Sequence, residues 1–350
     1  MTAIETAIGE PDWRRAADLI HGAGTLALAC HVSPDGDALG SMLGLGLALA
    51  RSGKKVVASF GDRVLEVPRL LRFLPGQDLL VEAAAYPAEP DLMITFDAST
   101  MERLGLLAPH AGKARELVVI DHHVSNTRFG TAHLVDPSAA STTMVVEELI
   151  HRLGLPVDRS VATCLYAGLV TDTGSFRHSV TTPAAHAMAG RLLETGLRPE
   201  ELARELWDRS PYAYLRVLGA ALGRATLEPD AAGGHGLVWT FVSRADRAAE
   251  GLPYDEVEGV IDVVRRVDEA EVAVVLKEDD DGGWNVSTRS KGVVDVARAC
   301  AALGGGGHAR AAGFSSALAV PDTMAALRPL LTPPLLTPPP SHPPPPRTEP

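Results

Sequence analysis

The sequence has few cysteines and no long apolar run. Its 350 residues contain three cysteines, Cys30, Cys164 and Cys300, without CxxC spacing. This pattern argues against a disulfide framework or a thiolate zinc site and predicts reduced thiols in the core. No segment approaches the roughly 18 to 20 uninterrupted apolar residues of a membrane helix, and the first 15 residues lack the basic-then-apolar pattern of a signal peptide. We therefore predict a cytoplasmic protein that does not bind a membrane.

Basic residues are also fewer than acidic residues. The chain has 32 Lys and Arg against 44 Asp and Glu, a formal net charge of -12. Affinity for long duplex nucleic acid comes mainly from Lys and Arg that neutralise phosphates, so the charge argues against such a partner. A short anionic substrate remains compatible with this net charge, because a few local cations, a bound metal and backbone NH groups can hold one or two phosphates.

The residues that are present suit two globular domains, with 46% hydrophobic and 22% charged residues. Four apolar, β-branched runs in the first third predict parallel strands at residues 26–30, 55–60, 92–96 and 117–120. Because these runs are continuously apolar, we expect helices on both faces of their sheet. Two of these helices are predicted at residues 38–51 and 141–153.

The second half predicts helices and then a smaller mixed α/β domain. Helical patterns fall at residues 159–172, 182–193, 200–208 and 212–222, strands at 237–242, 271–276 and 284–288, and a further helix near 254–266. Residues 279–283 predict a solvated hairpin turn, since they lack the ligand spacing of a calcium loop. Residues 333–350 hold 10 prolines and predict a polyproline-like tail.

Polar side chains follow three of the predicted strands. His31 follows the first, Asp97 the third, and Asp121-His122-His123 the fourth. In open parallel sheets, ligands bind outside the carboxyl ends of the strands. These side chains are therefore expected to meet in one crevice.

The segment from His31 to Asp37 brings an imidazole and two carboxylates within seven residues. A metal site explains His31, Asp35 and Asp37 together, whereas capping of the following helix explains one aspartate. Asp97 is equally compatible with a bridging metal ligand and with a strand-to-helix cap. Both alternatives stay open on these residues alone.

The Asp121-His122-His123 run is the sharpest local signal, because three adjacent ionisable residues after a buried strand are difficult to explain by packing. Asp172, at the end of a predicted helix, is unfavourable there unless a cation lies near it. A His/carboxylate set without cysteine suits Mn²⁺ better than a structural zinc ion, and two ions are expected. The candidate ligands are His31, Asp35, Asp37, Asp97, His122 and Asp172.

A second cluster lies in the C-terminal domain. Arg289 and Ser290 precede a run of four glycines that ends at His308. The backbone NH groups of Gly305, Gly306 and Gly307 would be able to cradle a phosphate, with Arg289 and His308 as further donors. The alternative is an ordinary flexible glycine turn.

Taken in order, the motifs HVSPDGDALGS, ITFDAS, VVIDHHVSN, VTDTGSF, VSTRS and GGGGHARAAGF resemble the DHH phosphoesterases, in particular the nanoRNase and pAp phosphatase branch. The resemblance implies a DHH catalytic domain (1–195), a helical connector (196–226), a DHH-associated domain (227–330), and a disordered tail (331–350). It also implies a cleft between the two domains and a possible homodimer. Met144 departs from the pattern, since many relatives have Glu there.

The resemblance also implies a role for each site residue. One Mn²⁺ would be held by His31, Asp35 and Asp97, and the second by Asp37, Asp97, His122 and Asp172, with Asp97 as the bridge. His123 would contact the scissile phosphate or assist the leaving group, and Asp121 would orient the neighbouring imidazole. The nucleotide would be held by Arg289, Ser290, Gly305, Gly306, Gly307 and His308.

The expected activity is Mn²⁺-dependent hydrolysis of short RNA oligonucleotides to mononucleotides and of 3′-phosphoadenosine 5′-phosphate to AMP. The alternative within the same family is a phosphodiesterase for cyclic di-AMP or its linear product. A non-catalytic nucleotide-binding protein is expected to lack one or more metal ligands, and the set in this sequence is complete.

Overall fold

The apolar runs of the first third form parallel strands, as predicted. The computed structural model describes residues 8–331 and divides the chain into two units, one ending at Arg209 and the other beginning at Ser210. The strands of the first unit are β1 (Thr25–Cys30), β2 (Lys55–Phe60), β3 (Leu92–Phe96), β4 (Glu116–Asp121) and β5 (Ala132–Val135). They lie in the order β2-β1-β3-β4-β5, and all four pairings are parallel.

Helices cover this sheet on one face, and shorter helical turns cover the other. The helices of the first unit are α1 (Glu10–Gly22), α2 (Gly36–Arg51), α3 (Ala108–Lys113), α4 (Thr142–Arg152), α5 (Arg159–Asp172), α6 (Pro183–Glu194) and α7 (Pro199–Leu206). Leu28 of β1 packs in the core shared with α2 and α5, while the next residue, Ala29, packs with Leu104 and Leu107 on the opposite face. The strands are therefore buried on both sides, which explains why they are apolar throughout.

The contact between α2 and α5 depends on glycines spaced four residues apart. A Cβ atom on Gly36 would lie 2.4 Å from Thr171 Oγ1, and one on Gly40 would lie 2.4 Å from the Cys164 carbonyl oxygen. Since later residues of α2 meet earlier residues of α5, the helices run antiparallel. The first turn of α2 therefore lies against the last turn of α5.

The second unit has a mixed sheet. Its strands are β6 (Thr226–Glu228), β7 (Leu237–Val242), β8 (Val272–Glu278), β9 (Trp284–Ser290), β10 (Gly306–His308) and β11 (Ala311–Ser316). The order is β10-β11-β9-β8-β7-β6; the β7–β8 pair is parallel and the other pairs are antiparallel. The predicted fold class, a parallel-sheet domain followed by a smaller mixed α/β domain, is thus confirmed.

Helices lie on both faces of the second sheet as well. They are α8 (Tyr212–Gly223), α9 (Ala231–Gly234), α10 (Arg244–Glu250), α11 (Val260–Val264), α12 (Val296–Ala301) and α13 (Val320–Leu327). Ala273 and Val275 of β8 pack with α8 and α11, and the alternate residues Val274 and Leu276 pack with α12 and α13.

Two local predictions for the second unit can be compared directly with the structure. The helix expected near residues 254–266 is partly confirmed: α11 covers Val260–Val264, and a 3-10 turn at residues 254–257 precedes it. The hairpin turn at residues 279–283 is confirmed: it joins antiparallel β8 and β9, and Asp279 Oδ1 accepts from the amides of Asp281 and Gly283. The strands β5, β6, β10 and β11 were not predicted.

The predicted domains distribute over both units. The described part of the predicted catalytic domain (1–195) lies in the first unit, the predicted C-terminal domain (227–330) lies in the second, and the predicted connector spans the division. The predicted tail lies, from residue 332 onwards, outside the described residues. All three cysteines are buried and free, as expected. Between residues 8 and 331, no helix has the length and apolar character needed to cross a membrane.

Candidate metal centre

Three neighbouring strands deliver polar side chains to one edge of the first sheet. His31 follows β1, Asp97 follows β3, and Asp121 ends β4 with His122 directly after it. Because β1, β3 and β4 are adjacent and parallel, their carboxyl ends meet at the same edge. The predicted convergence is therefore present.

His31 and Asp35 form the first cluster with Asp97. His31 Nε2 lies 3.5 Å from Asp97 Oδ2 and 3.8 Å from Asp35 Oδ2. His31 Nδ1 donates to the Val32 carbonyl oxygen at 2.8 Å. A carbonyl oxygen only accepts, so in the neutral ring the proton sits on Nδ1 and the Nε2 lone pair faces the carboxylates, as in histidines that bind metal.

Asp35 serves both functions that the sequence offered for it, using a different oxygen for each. Its Oδ1 accepts from the amides of Asp37 at 3.1 Å and Ala38 at 3.0 Å, which caps α2. Its Oδ2 is the atom that faces His31. Helix capping therefore does not compete with ligand binding at this residue.

His122 is at the middle of the second cluster. Its Nε2 lies 3.2 Å from Asp172 Oδ2, 3.7 Å from Asp97 Oδ1 and 3.9 Å from Asp37 Oδ2. Its Nδ1 is 3.2 Å from the Ala139 carbonyl oxygen and donates to it. His122 thus has the same arrangement as His31, with one nitrogen held by the backbone and the other facing carboxylates.

Asp97 lies between the two clusters. Its Oδ2 faces His31, while its Oδ1 faces His122. Its backbone is left-handed, with φ of 55°, and its amide donates to the Ile120 carbonyl oxygen at 3.0 Å. Such a backbone is uncommon for a non-glycine residue and is typical of functional sites.

Asp37 is buried and holds the beginning of α4. Its Oδ2 accepts from the Thr142 amide at 2.6 Å and its Oδ1 from the Thr143 amide at 3.0 Å. The Thr142 hydroxyl donates to Asp97 Oδ1 at 2.9 Å. Thr142 therefore supports two carboxylates at once, and the sequence analysis missed it.

Asp121 contacts its neighbours through both oxygens. Oδ1 accepts from the His123 amide, the His122 amide and His123 Nδ1, the last at 2.8 Å, and Oδ2 accepts from Asn126 Nδ2 at 2.6 Å. The rings of His122 and His123 are inclined at 68°, so they point in different directions. Asp121 is thereby placed to orient His123, and Asn126, which the sequence analysis also missed, holds Asp121.

The carboxylates make the site strongly negative. Burial lowers the pKa of His122, but its hydrogen bond to Asp172 and the charges of Asp37, Asp172 and Asp97 raise it to about 10. Burial and the charges of Asp172 and Asp97 raise the pKa of Asp37 well above its usual value. Burial likewise raises the pKa of Asp172, to about 6. The site stabilises positive charge, as a cation site must.

The donor set fits divalent metal ions. Among residues 8–331, possible ligand atoms within 4.8 Å of one another form three groups, all drawn from the predicted site: His31-Asp35-Asp97, Asp37-His122-Asp172 and Asp97-His122-His123. The six side chains predicted as ligands are thus brought together in one place. Imidazole and carboxylate donors without thiolate suit Mn²⁺ and similar ions.

The residues predicted to bind substrate lie in the second unit, and they are divided between the two faces of its sheet. Arg289 of β9 pairs with Ala311, which pairs with His308 of β10, so the three residues form one row. Ser290 belongs to the opposite face: it is buried, and its hydroxyl donates to Glu271 Oε1 at 2.8 Å. A direct contact of the Ser290 side chain with a ligand beside Arg289 is not compatible with this placement.

The glycine run is part of a hairpin, and its members differ. A Cβ atom on Gly305 would lie 2.1 Å from the Gly313 carbonyl oxygen, and one on Gly307 would lie 2.6 Å from that of Ala311. The fold therefore requires both glycines. A Cβ atom on Gly306 would meet nothing within 4 Å. A Cβ atom on Gly304 would meet nothing either, but its φ of 83° favours glycine, so Gly306 is the member of the run that neither packing nor backbone conformation explains.

Comparisons with known proteins agree with this architecture. The model of the DHH family, N-terminal domain, matches residues 25–169, and that of the DHHA1 domain matches residues 237–330. The chain is 35% identical over 290 residues to the bifunctional oligoribonuclease and PAP phosphatase NrnA of Thermus thermophilus, covering 83% of each protein. It is 28% identical over 300 residues to the cyclic-di-AMP phosphodiesterase GdpP of Geobacillus thermodenitrificans, covering 79% of this chain and 42% of that protein.

A solved structure shares the complete fold. The exopolyphosphatase-related protein of Bacteroides fragilis superposes with a TM-score of 0.86 at 23% identity, covering 94% of this chain and 97% of that one. The first match covers all five strands of the first sheet, including the three strand ends that carry the acidic and imidazole side chains, and the second covers β7 to β11. The chain is therefore a hydrolase that belongs to the DHH phosphoesterase family, within its NrnA-type branch.

Proposed function

We propose that the chain is a Mn²⁺-dependent phosphoesterase that hydrolyses short RNA oligonucleotides to mononucleotides and 3′-phosphoadenosine 5′-phosphate to AMP. The position of Asp97 carries the proposal, because its two oxygens face two separate His/Asp clusters. The Thermus thermophilus relative is an oligoribonuclease and PAP phosphatase, which supports this choice of substrates. A cytoplasmic location and a homodimer stay predictions from the sequence.

In this proposal each cluster holds one ion, and Asp97 is shared. His31 and Asp35 complete the first site, and the second is completed by Asp37, His122 and Asp172. When bound, two such ions favour ionisation of the attacking water and offset the charge that develops on the phosphate and the leaving oxygen. The backbone carbonyls of Val32 and Ala139 keep the ligating nitrogens of His31 and His122 turned toward the carboxylates.

His123 has a separate role in this proposal. Its Nδ1 donates to Asp121 Oδ1, and its ring is inclined to that of the ligand His122. A ring held in this way is directed by Asp121 rather than by a metal ion. We assign it to the scissile phosphate or to proton transfer to the leaving group, because a fixed imidazole suits both tasks.

The surface around Arg289 is assigned to the nucleotide. Arg289 and His308 lie two strands apart, a spacing of roughly 10 Å, and the intervening residue on β11 is Ala311. Ala311 therefore adds only a methyl group between the two polar side chains. Ser290 acts indirectly here, since Glu271 also accepts from the amides of Gly292 and Val293 and so fixes the loop after β9.

Cyclic di-AMP, or its linear product, is the second candidate substrate. The similarity to the Geobacillus thermodenitrificans phosphodiesterase favours it, although the chain spans less than half of that protein. Both candidates require the same ligand set. They are distinguished by which substrate the purified enzyme prefers.

The metal site is tested by replacing its shared ligand. Asp97→Asn keeps the size of the side chain but removes its charge, so we expect loss of Mn²⁺-dependent turnover of every substrate. Asp91→Asn is the matched control, because Asp91 is exposed immediately before the same strand. Near-normal activity of Asp97→Asn would exclude Asp97 as the shared ligand.

The substrate assignment is tested by a comparison at fixed Mn²⁺. We expect kcat/KM to be highest for a dinucleotide, a five-nucleotide RNA or 3′-phosphoadenosine 5′-phosphate, and lower for cyclic di-AMP. Preference for cyclic di-AMP would replace the first candidate by the second. Arg289→Gln is expected to raise KM, and an unchanged KM would remove Arg289 from the nucleotide surface.

A further inference from the structure

Asp172 occupies a position that its own helix disfavours. It is the last residue of α5, where the carbonyl end of the helix dipole repels a carboxylate. Its Oδ2 nevertheless lies 3.2 Å from His122 Nε2. Groups outside the helix must therefore hold this residue in place.

The carbonyl groups at the end of α5 have partners in the next few residues. The Ser175 amide donates to the Val170 carbonyl at 2.7 Å, and the Gly174 amide donates to that of Thr171 at 3.0 Å. The Asp172 carbonyl has a different kind of partner, because it accepts a hydrogen bond from a side chain, His178 Nδ1, at 3.1 Å. A carbonyl oxygen cannot donate, so His178 carries its proton on Nδ1 in this contact.

The chain reaches this contact through an unusual turn. Gly174, Ser175 and Phe176 are consecutive left-handed residues, with φ of 55°, 59° and 63°. This conformation is uncommon for serine and is an outlier for a bulky aromatic residue. The turn brings residue 178 back to the end of the helix, where the His178 and Arg177 amides both donate to the Thr173 carbonyl at 2.9 Å.

Glycine at position 174 is required by the same contact. A Cβ atom there would lie 2.4 Å from His178 Nε2 and 2.5 Å from His178 Cε1. The imidazole therefore rests directly on the backbone of Gly174. The turn and the ring fit each other, and both are next to a proposed metal ligand.

We propose that His178 is a positioning residue for Asp172. Its Nδ1–H holds the Asp172 carbonyl, and this fixes the last turn of α5 so that the Asp172 carboxylate faces His122. The inference rests on the proposed function, because it assigns His178 to the ion that Asp37, His122 and Asp172 would share. Residues outside the ligands that orient them in this way typically change metal affinity by about 10- to 100-fold.

Mn²⁺ binding tests the proposal without relying on activity. Metal-free protein is titrated with Mn²⁺ while the electron paramagnetic resonance signal of free Mn²⁺ counts the bound ions. We expect two bound ions in the parent protein. In His178→Ala, one ion should bind as before and the other about 10- to 100-fold more weakly.

Two further variants separate the hydrogen bond from general damage. His178→Asn places an amide nitrogen near the position of Nδ1, so it should restore much of the lost affinity. His151→Ala is the matched control, because His151 is an exposed histidine in the last turn of α4. It should bind both ions as the parent protein does.

The outcomes distinguish the two proposals. If the parent protein binds two ions and His178→Ala binds both with unchanged affinity, the positioning role is wrong and the proposed function stands. If His178→Asn binds as weakly as His178→Ala, the hydrogen bond is not the cause and the positioning role is likewise overturned. If the parent protein binds no Mn²⁺, the proposed function itself fails.

Discussion

A single methyl group at Gly40 tests how the fold positions the metal ligands. Asp37 lies in the first turn of α2 and Asp172 at the end of α5, and these two helices touch through glycines. In Gly40→Ala, the new Cβ atom would lie 2.4 Å from the Cys164 carbonyl oxygen and 3.3 Å from the Gly168 amide nitrogen. A backbone oxygen cannot rotate away, so the helices must separate.

The expected magnitude follows from two opposing effects. Ordinary contact begins near 3.4 Å, so the helices would have to move apart by about 1 Å. Overpacking of this kind costs about 1–3 kcal/mol, and rigid backbone favours the upper end. Alanine in place of glycine inside a helix returns about 1 kcal/mol. We therefore expect Gly40→Ala to lower the free energy of unfolding by about 2 kcal/mol, equivalent to a Tm decrease of about 4–8 °C.

Urea and thermal unfolding of the metal-free protein measure this effect without a contribution from bound ions. Gly190→Ala is the matched control, because Gly190 lies inside α6 and a Cβ atom there would meet nothing within 4 Å. It should stabilise the protein by about 0.5–1 kcal/mol. If Gly40→Ala also stabilises, the glycine contact does not set the distance between the helices, and the reasoning is refuted.

Two predictions concern the second unit. Gly306→Ala is expected to raise KM without lowering Tm. Gly307→Ala should instead lower Tm, because residue 307 has φ of 139° and a Cβ atom there would lie 2.6 Å from the Ala311 carbonyl oxygen. Equal Tm losses in the two variants would contradict this distinction. The hydrogen bond from Arg224 lowers the pKa of Asp246 to about 2. The pair therefore stabilises the folded protein above the unfolded pKa of about 3.9, and this stabilisation is lost as the pH falls toward 2. At about 1.4 kcal/mol per pKa unit, the difference between the two pKa values corresponds to at most about 3 kcal/mol, to which the hydroxyl and amide of Ser243 also contribute. Arg224→Met should flatten the pH dependence of urea unfolding between pH 4 and pH 2, and an unchanged slope would exclude the pair as its source.

The ends of the strands were predictable because the rule behind them is local. A polar residue directly after an apolar run marks the carboxyl end of a strand, and neighbouring parallel strands bring these ends together. This rule placed His31, Asp97 and His122 in one site. It needed no knowledge of the helices that cover the sheet.

The supporting contacts were not predictable, because they join distant parts of the chain. Thr142 donates to Asp37, which lies 105 residues earlier, and to Asp97, which lies 45 residues earlier. In the sequence alone, Thr142 is simply a residue in the first turn of a predicted helix. No periodicity or spacing in the sequence records a contact of this kind.

Two of the missed strands, β10 and β11, have a compositional cause. The segment of β10 is Gly-Gly-His and that of β11 is Ala-Ala-Gly-Phe-Ser-Ser, and both are rich in residues with low strand propensity. They form strands because β10 pairs with β11, and β11 pairs in turn with β9. Close backbone approach at Gly305 and Gly307 then replaces the side-chain packing that usually identifies a strand.

Asp35 allows helix capping and metal binding to be separated by experiment. The sequence left these two explanations open, and the structure assigns Oδ1 to the cap and Oδ2 to the side facing His31. Asparagine caps helices about as well as aspartate, but it lacks the negative charge that a hard cation prefers. Asp35→Asn should therefore keep the cap and weaken the ion site.

Asp35→Asn is expected to leave the free energy of unfolding of the metal-free protein within about 0.5 kcal/mol, whereas Asp35→Ala should lower it by about 1 kcal/mol because the cap is lost. Both variants should bind Mn²⁺ more weakly than the parent protein in the same titration. If Asp35→Asn binds Mn²⁺ normally while Asp35→Ala loses stability, Asp35 is a cap alone. The first ion would then be held by His31 and Asp97 without it, and its site would be the weaker of the two.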